Sequence, residues 1–163
     1  MAGPYTLAQM WKIITLLQPA TDAAGRTSPY WVTLKEADRA VIVVHINQGN
    51  AATVLLTPLQ AQNVAGTNSK ALTQNARIWF NLATATSDAL LRQTDALNFT
   101  TDVGVQNKIV LFDIDASSLD QANGFVTVGL STGASNVANI TSAIVFLGEQ
   151  RHAGDTLPSQ IIN

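Results

Sequence analysis

Two histidines, a pair of closely spaced aspartates and three tryptophans are the side chains of this sequence best suited to chemistry or recognition. A hydrolytic triad needs a nucleophile, a base and an orienting acid within hydrogen-bond reach. His45 lies in a run of valines that reads as a strand, which assigns it a half-buried or cross-strand structural role. His152 sits beside Arg151 in an aperiodic segment, as a solvated residue or an interface contact. No serine occupies a Gly-x-Ser-x-Gly elbow. Asp113 and Asp115 are two apart on a predicted strand, so their carboxylates point the same way. With Asp120 they offer oxygen ligands of the kind Ca²⁺ accepts. The spacing matches no 12-residue calcium loop, and a solvent-facing strand end is the simpler reading. Zinc has even less to work with, two distant histidines and no cysteine. The segment from Gly129 to Gly133 lacks the Gly-Lys-Ser/Thr of a phosphate loop. Trp31 and Trp79 fall on outward strand positions, where an indole stacks on a sugar or anchors a partner. No catalytic, cofactor or metal residue is assigned, and the sequence predicts a protein that is not an enzyme.

The elements holding these residues belong to a chain of unusual composition. Of 163 residues, 47% are hydrophobic and only 12% charged, about half of the roughly 25% usual for a soluble domain. Thr, Ser, Asn and Gln together supply 50 residues, so most of the polarity carries no charge. The length suits one domain with a real core. Without cysteine there is no disulfide framework. A net charge of -2 with no basic cluster argues against a nucleic-acid partner. The longest strictly apolar runs have five residues, Ala40–Val44 and Ala143–Leu147, against about 20 for a spanning helix, so no membrane partner is expected. The N-terminus has no basic segment of a signal peptide. The sequons at Asn98 and Asn139 then read as chance matches. A protein without a charged surface is expected to hold much of that surface against neighbours.

Along the chain, Leu7, Met10, Trp11, Ile14 and Leu17 have helical spacing, with Thr6 and Gln9 placed as a capping box and Pro19 as a stop. A strand over Lys12–Gln18 competes, because Ile13, Ile14 and Thr15 are β-branched. Strand patterns follow. Val32 and Leu34 alternate with Trp31, Thr33 and Lys35, and Ile42, Val44 and Ile46 alternate with Val41, Val43 and His45. The turn Asn47-Gln48-Gly49-Asn50 and the run Ala52–Thr57 predict a hairpin ended by Pro58. Gln60–Leu72 reads as a polar loop or short helical excursion, and Ala85–Thr94 as a loop or one helical turn. Further strands are predicted with Ile78, Phe80 and Leu82 inward, with Val110, Phe112 and Ile114 on one face, over Phe125–Ser131 after the Asn123-Gly124 turn, and over Ser142–Gly148. The predicted class is all-β, a single-domain β-sandwich or jelly roll of seven to eight short strands. Its organisation is an N-terminal arm or short helix over residues 1–20, a sandwich over 21–150 and an extended tail over 151–163.

Three stretches form a recognisable set. Pro19-Ala20-Thr21-Asp22-Ala23-Ala24-Gly25-Arg26-Thr27 precedes Tyr30-Trp31-Val32. Gln48-Gly49-Asn50-Ala51-Ala52-Thr53-Val54 leads to Pro58-Leu59-Gln60-Ala61 and Val64-Ala65-Gly66-Thr67. Ile109–Asp115, Leu119-Asp120, Gly124-Phe125 and Ser131-Thr132-Gly133-Ala134-Ser135-Asn136 complete it. Together they resemble the small virion structural proteins of tailed bacteriophages, of the head-decoration or cement type. The resemblance implies a sandwich on the capsid surface that bridges major capsid protein subunits and self-associates, with a trimer favoured. It carries over no active-site residues and no cofactor. Tyr5, Trp11, Trp31, Trp79, Arg151 and His152 are the candidate interface residues. A tail or baseplate component and a jelly-roll carbohydrate-binding module are the alternative readings.

Overall fold

The computed structural model describes residues 6–150 and Ile161. A single helical turn, α1 (Leu7–Met10), opens where the Thr6 backbone N–H donates to Gln9 Oε1 at 2.8 Å. Trp11 then turns to extended backbone, and the β-branched residues that follow continue as a strand. The strand reading therefore prevails from Lys12 onward: β1 (Lys12–Thr21) is an integral strand, and an arm boundary at residue 20 would cut it. Pro19, expected to stop a helix, is tolerated because β1 is an edge strand paired only with the last strand.

The remaining strands are β2 (Arg26–Thr27), β3 (Val32–Thr33), β4 (Ala37–Gln48), β5 (Leu55–Ala61), β6 (Lys70–Ala71), β7 (Ala76–Asn81), β8 (Leu91–Ala96), β9 (Phe99–Thr100), β10 (Asn107–Asp115), β11 (Thr127–Thr132) and β12 (Asn139–Gln150). Eight of these twelve have six residues or more, a number that matches the seven or eight expected, although β8 is unforeseen and the strand expected over Trp31–Lys35 is only the short β3. They pair antiparallel into two sheets. The front sheet runs β1-β12-β4-β10-β7-β8, and the back sheet β2-β11-β5-β6, with β3 added to β11 and β9 to β5. The all-β, single-domain sandwich is thus the architecture of the chain. Alternation set the faces correctly: Ile42, Val44 and Ile46 on β4 and Val110, Phe112 and Ile114 on β10 meet Leu56, Val128 and Leu130 of the back sheet in one core. Among the described residues no helix is long and apolar enough to cross a membrane.

Several local expectations are corrected. β4 and β5 do not form a hairpin. β4 pairs with β10 and β12 in the front sheet, β5 with β11 in the back sheet, and residues 49–54 cross between the layers. Pro58 does not end β5 but lies inside it, opposite Leu130. The Leu130 N–H donates to Ser28 Oγ at 3.1 Å and its carbonyl accepts from the Ser28 N–H at 2.7 Å, so nothing on that side requires a donor at position 58. On the other side, β9 covers residues 55–56 and β6 residues 59–60, and the missing N–H falls in the gap. Gln60 and Ala61 belong to β5, and Leu91–Thr94 to the edge strand β8.

Candidate functional site

Two surfaces stand out, one a sheet face and one an end of the sandwich. The outer face of the front sheet is read from its register. Ile13, Phe146, Val41, Asp113 and Arg77 lie side by side across five strands. The next row is Thr15, Ile144, Val43, Leu111, Trp79 and Arg92. Beyond it come Ser142, His45 and Ile109. The middle of this face is therefore apolar on the side that, in a one-sided antiparallel sheet, is usually polar. Ile13 is 46% exposed, and the central side chains are only half-buried, by one another. A shallow depression lies among Val41, Leu111, Trp79, Leu90, Arg39 and Asp113.

Apart from Arg92 on β8, charge on this face lies along one edge and is paired there. Arg39 Nε donates to Asp113 Oδ1 at 2.7 Å, and a second nitrogen of the same guanidinium donates to Oδ2. Arg77 reaches Asp115 at 2.9 Å and Asp113 at 3.3 Å. Asp113 is consequently buried, not solvent-facing as expected, and its hydrogen bond raises Arg39 above the usual guanidinium value. Asp120 turns away to Lys70 at 2.6 Å, and the bond holds its carboxyl below the usual range. The three aspartates are not brought together as a calcium set. Among the described residues no cluster of three metal-ligating side chains occurs.

The candidate tryptophans separate. Trp79 is on the outer front face, its ring capped by the Arg92 guanidinium 4.6 Å from the centroid. Trp11 lies over Gly148, where a Cβ would come within 2.3 Å of the indole. Trp31 points to the outer side of the back sheet, as alternation predicts, but is only 5% exposed because Gly66 and Gly129 fold against it. A buried ring and a capped ring leave the carbohydrate reading without its stacking faces. His45 is exposed on the front face between Ile109 and Ser142. Tyr5, Arg151 and His152 lie outside the described residues.

The second surface is the end of the sandwich where loops 49–54, 101–106 and 133–138 meet. Uncharged side chains hold these loops to each other. Buried Asn139 accepts from the Asn50 N–H at 2.9 Å and donates to the Ala52 carbonyl at 2.7 Å. Thr101 Oγ1 accepts from the Val54 N–H and donates to Gln48 Oε1 at 2.8 Å. Beneath them Lys108 is fully buried, its ammonium donating to Gln48 Oε1 at 2.9 Å, to the Asp102 carbonyl at 3.0 Å and to the Asp102 carboxylate. A buried ammonium is tolerated only with such a full set of acceptors. Asp102 is the only charged residue in 48–55, 101–107 and 132–141. Protruding from this frame are Val103 at 65%, Val105 at 59% and Val137 at 67% exposure. Sequence reasoning missed this end. The phase of Lys108 with Val110, Phe112 and Ile114 was a readable sign that its side chain points inward.

The hydrogen bond from Lys108 holds the Asp102 carboxyl below its ordinary pKa. A carboxyl depressed in the folded state contributes stability that is complete above its unfolded value of about 3.9 and is lost as pH falls through the folded value. Urea midpoints at pH 7 and near pH 3 should therefore fall further for the parent than for Asp102→Asn. Equal losses in both proteins would show that the pair does not secure this loop.

No family model matches the sequence, and no curated protein matches it. The chain is similar to the SPBc2 prophage-derived protein YomS, whose crystal structure aligns with 85% of this chain and 93% of that one, at 12% identity and a TM-score of 0.45.

Proposed function

We propose that the chain is a non-enzymatic structural protein of a tailed-phage virion, which decorates the head and stabilises it by bridging major capsid protein subunits. The observation that carries this reading is a pair of charge-poor surfaces on different sides of one sandwich, neither of them covered by another element among the described residues. A bridging protein needs two such surfaces, whereas a protein with one partner needs only one. The resemblance of the turn and strand segments to cement proteins supports the same assignment. Each surface is suited to contact through area and fit, with a few apolar anchors carrying most of the energy. Burying one protruding valine of the loop end against a neighbour contributes up to about 2 kcal/mol.

The test is add-back of the purified chain to phage heads that lack it, followed by cryo-electron microscopy and heating. Density for the sandwich between capsomers and a higher temperature of head rupture are expected. Val105→Asp combined with Val137→Asp should weaken binding at least tenfold, since each places a charge in a desolvated contact. Bare heads at saturating protein, or density confined to the tail, would overturn the assignment.

A further inference from the structure

The outer face of the front sheet has a chemistry that restricts what can cover it. Phe146 and Val41 stand beside each other, and Ile144, Val43 and Leu111 run in register through the next row. All five are half-buried, and beside them only Trp79, Leu90 and the paired edge residues line the depression among the described residues. We propose that this face is the contact between two copies of the chain, packed front sheet to front sheet about a two-fold axis. The choice of partner rests on the bridging role above and refines it: two copies joined at this face carry two loop ends to the shell, one for each capsid contact.

Three features favour a second copy over a different partner. The first is size. The six strands differ in length, with β7 and β8 the shortest; at a spacing of about 4.8 Å and a mean length of roughly nine residues they span about 700 Å². A standard stable interface covers about 800 Å² on each partner, so one copy of the face is matched by one other. The second is charge. Arg39 and Arg77 pair with Asp113, Asp115 and Glu149 along one edge, which leaves it a single negative charge. Such an edge offers little net charge for an acidic or basic partner to complement, and it repels its own copy only weakly. The third is shape. Apolar faces of antiparallel sheets pack at a separation of about 10 Å, as the two sheets of this sandwich already do. An isologous contact then closes at two copies and leaves both loop ends free.

Light scattering and sedimentation of the full chain, at concentrations from about 1 to 100 μM, bracketing the micromolar range, decide the matter. A mass twice 17.3 kDa is expected at the upper end. Leu111→Arg should raise the dissociation constant at least tenfold while leaving the far-ultraviolet spectrum unchanged. Ile144→Lys, on a different strand, provides the same readout should the first variant fail to fold. Val137→Asp, at the loop end, should leave the mass unchanged. A parent that stays monomeric throughout, or an oligomer indifferent to both face substitutions, overturns the proposal. A monomer that still binds heads would sink the self-contact alone. A dimer that ignores heads would sink the virion reading alone.

Discussion

Trp31→Ala is expected to lower the stability of the fold by about 3–5 kcal/mol, the usual cost of deleting a large buried aromatic. The ring is 5% exposed and fills the space that two glycines leave open on the outside of the back sheet. A Cβ at Gly129 would stand 2.9 Å from the indole carbons, and one at Gly66 2.4 Å from Nε1. Both neighbours are backbone, which cannot swing in to fill the void, so the collapse that softens some cavity mutations is denied here. In a domain of this size each kcal/mol shifts Tm by about 2–4 °C, which gives a drop of roughly 6–20 °C. Trp31→Phe keeps part of the filling and should lose about half as much. Differential scanning calorimetry reads both. A variant melting within about 2 °C of the parent, less than 1 kcal/mol on the same scale, would show that the indole does not secure the back sheet.

Asp22→Ala should cost about 3 kcal/mol, at the lower end of what breaking a buried ion pair costs, because Arg26 remains 21% exposed. Asp22 itself is fully buried where the chain leaves β1 for the back sheet. Its carboxylate accepts from Thr132 Oγ1 of β11 at 2.8 Å, from Thr141 Oγ1 of β12 and from Arg26 Nε at 3.0 Å. Its carbonyl accepts from the Gly25 and Ser135 N–H groups. One residue thus joins both sheets, and its removal leaves two buried hydroxyls without their acceptor. Asp22→Asn, which keeps the shape and one acceptor, should lose less. Urea midpoints should rank parent, Asn and Ala in that order. A double-mutant cycle with Arg26→Ala should give a coupling above about 1 kcal/mol, as expected for residues in contact. Additive losses would place the effect elsewhere than in the pair.

What could be read from the residues was mostly local. Alternation is a property of single strands, so the inward sets on β4 and β10 followed from it, whereas β1 stayed between helix and strand and β8, an edge strand without clear alternation, read as a loop or helical turn. Strand partners are another matter. The Asn47–Asn50 turn chemistry fits a hairpin, but Asn139, ninety residues later in the chain, holds residues 50 and 52 and steers the crossing to the other sheet. Alternation also assigned Trp31 to an outer face, and it is on one. Whether a loop closes over that face depends on Gly66 and Gly129, which no local pattern links to it. The same holds for Lys108, whose inward phase was visible while its acceptors, Gln48 and Asp102, come from other segments. The low charge was legible, and it raised the expectation of a surface held against neighbours. The two places where that surface is apolar emerged only once β12 and the three loops were set beside their neighbours.

The position of β12 has a further consequence, for the order in which the molecule can form. This strand lies between β1 and β4, and Lys12 pairs with Leu147 while Gln48 pairs with Asn139. Until residues 139–150 have been synthesised, β1 has no partner and β4 keeps one edge open. Closing loops of this length before any contact compensates for the lost chain entropy makes for slow folding, on the millisecond-to-second scale of high-contact-order β proteins. A nascent chain therefore carries exposed strand edges until β12 has been made, and such edges are prone to aggregation. Lys12 on β1 and the charged pair Arg92 and Asp95 on β8 sit on the two outermost strands of the front sheet, where charge discourages wrong pairing in the meantime.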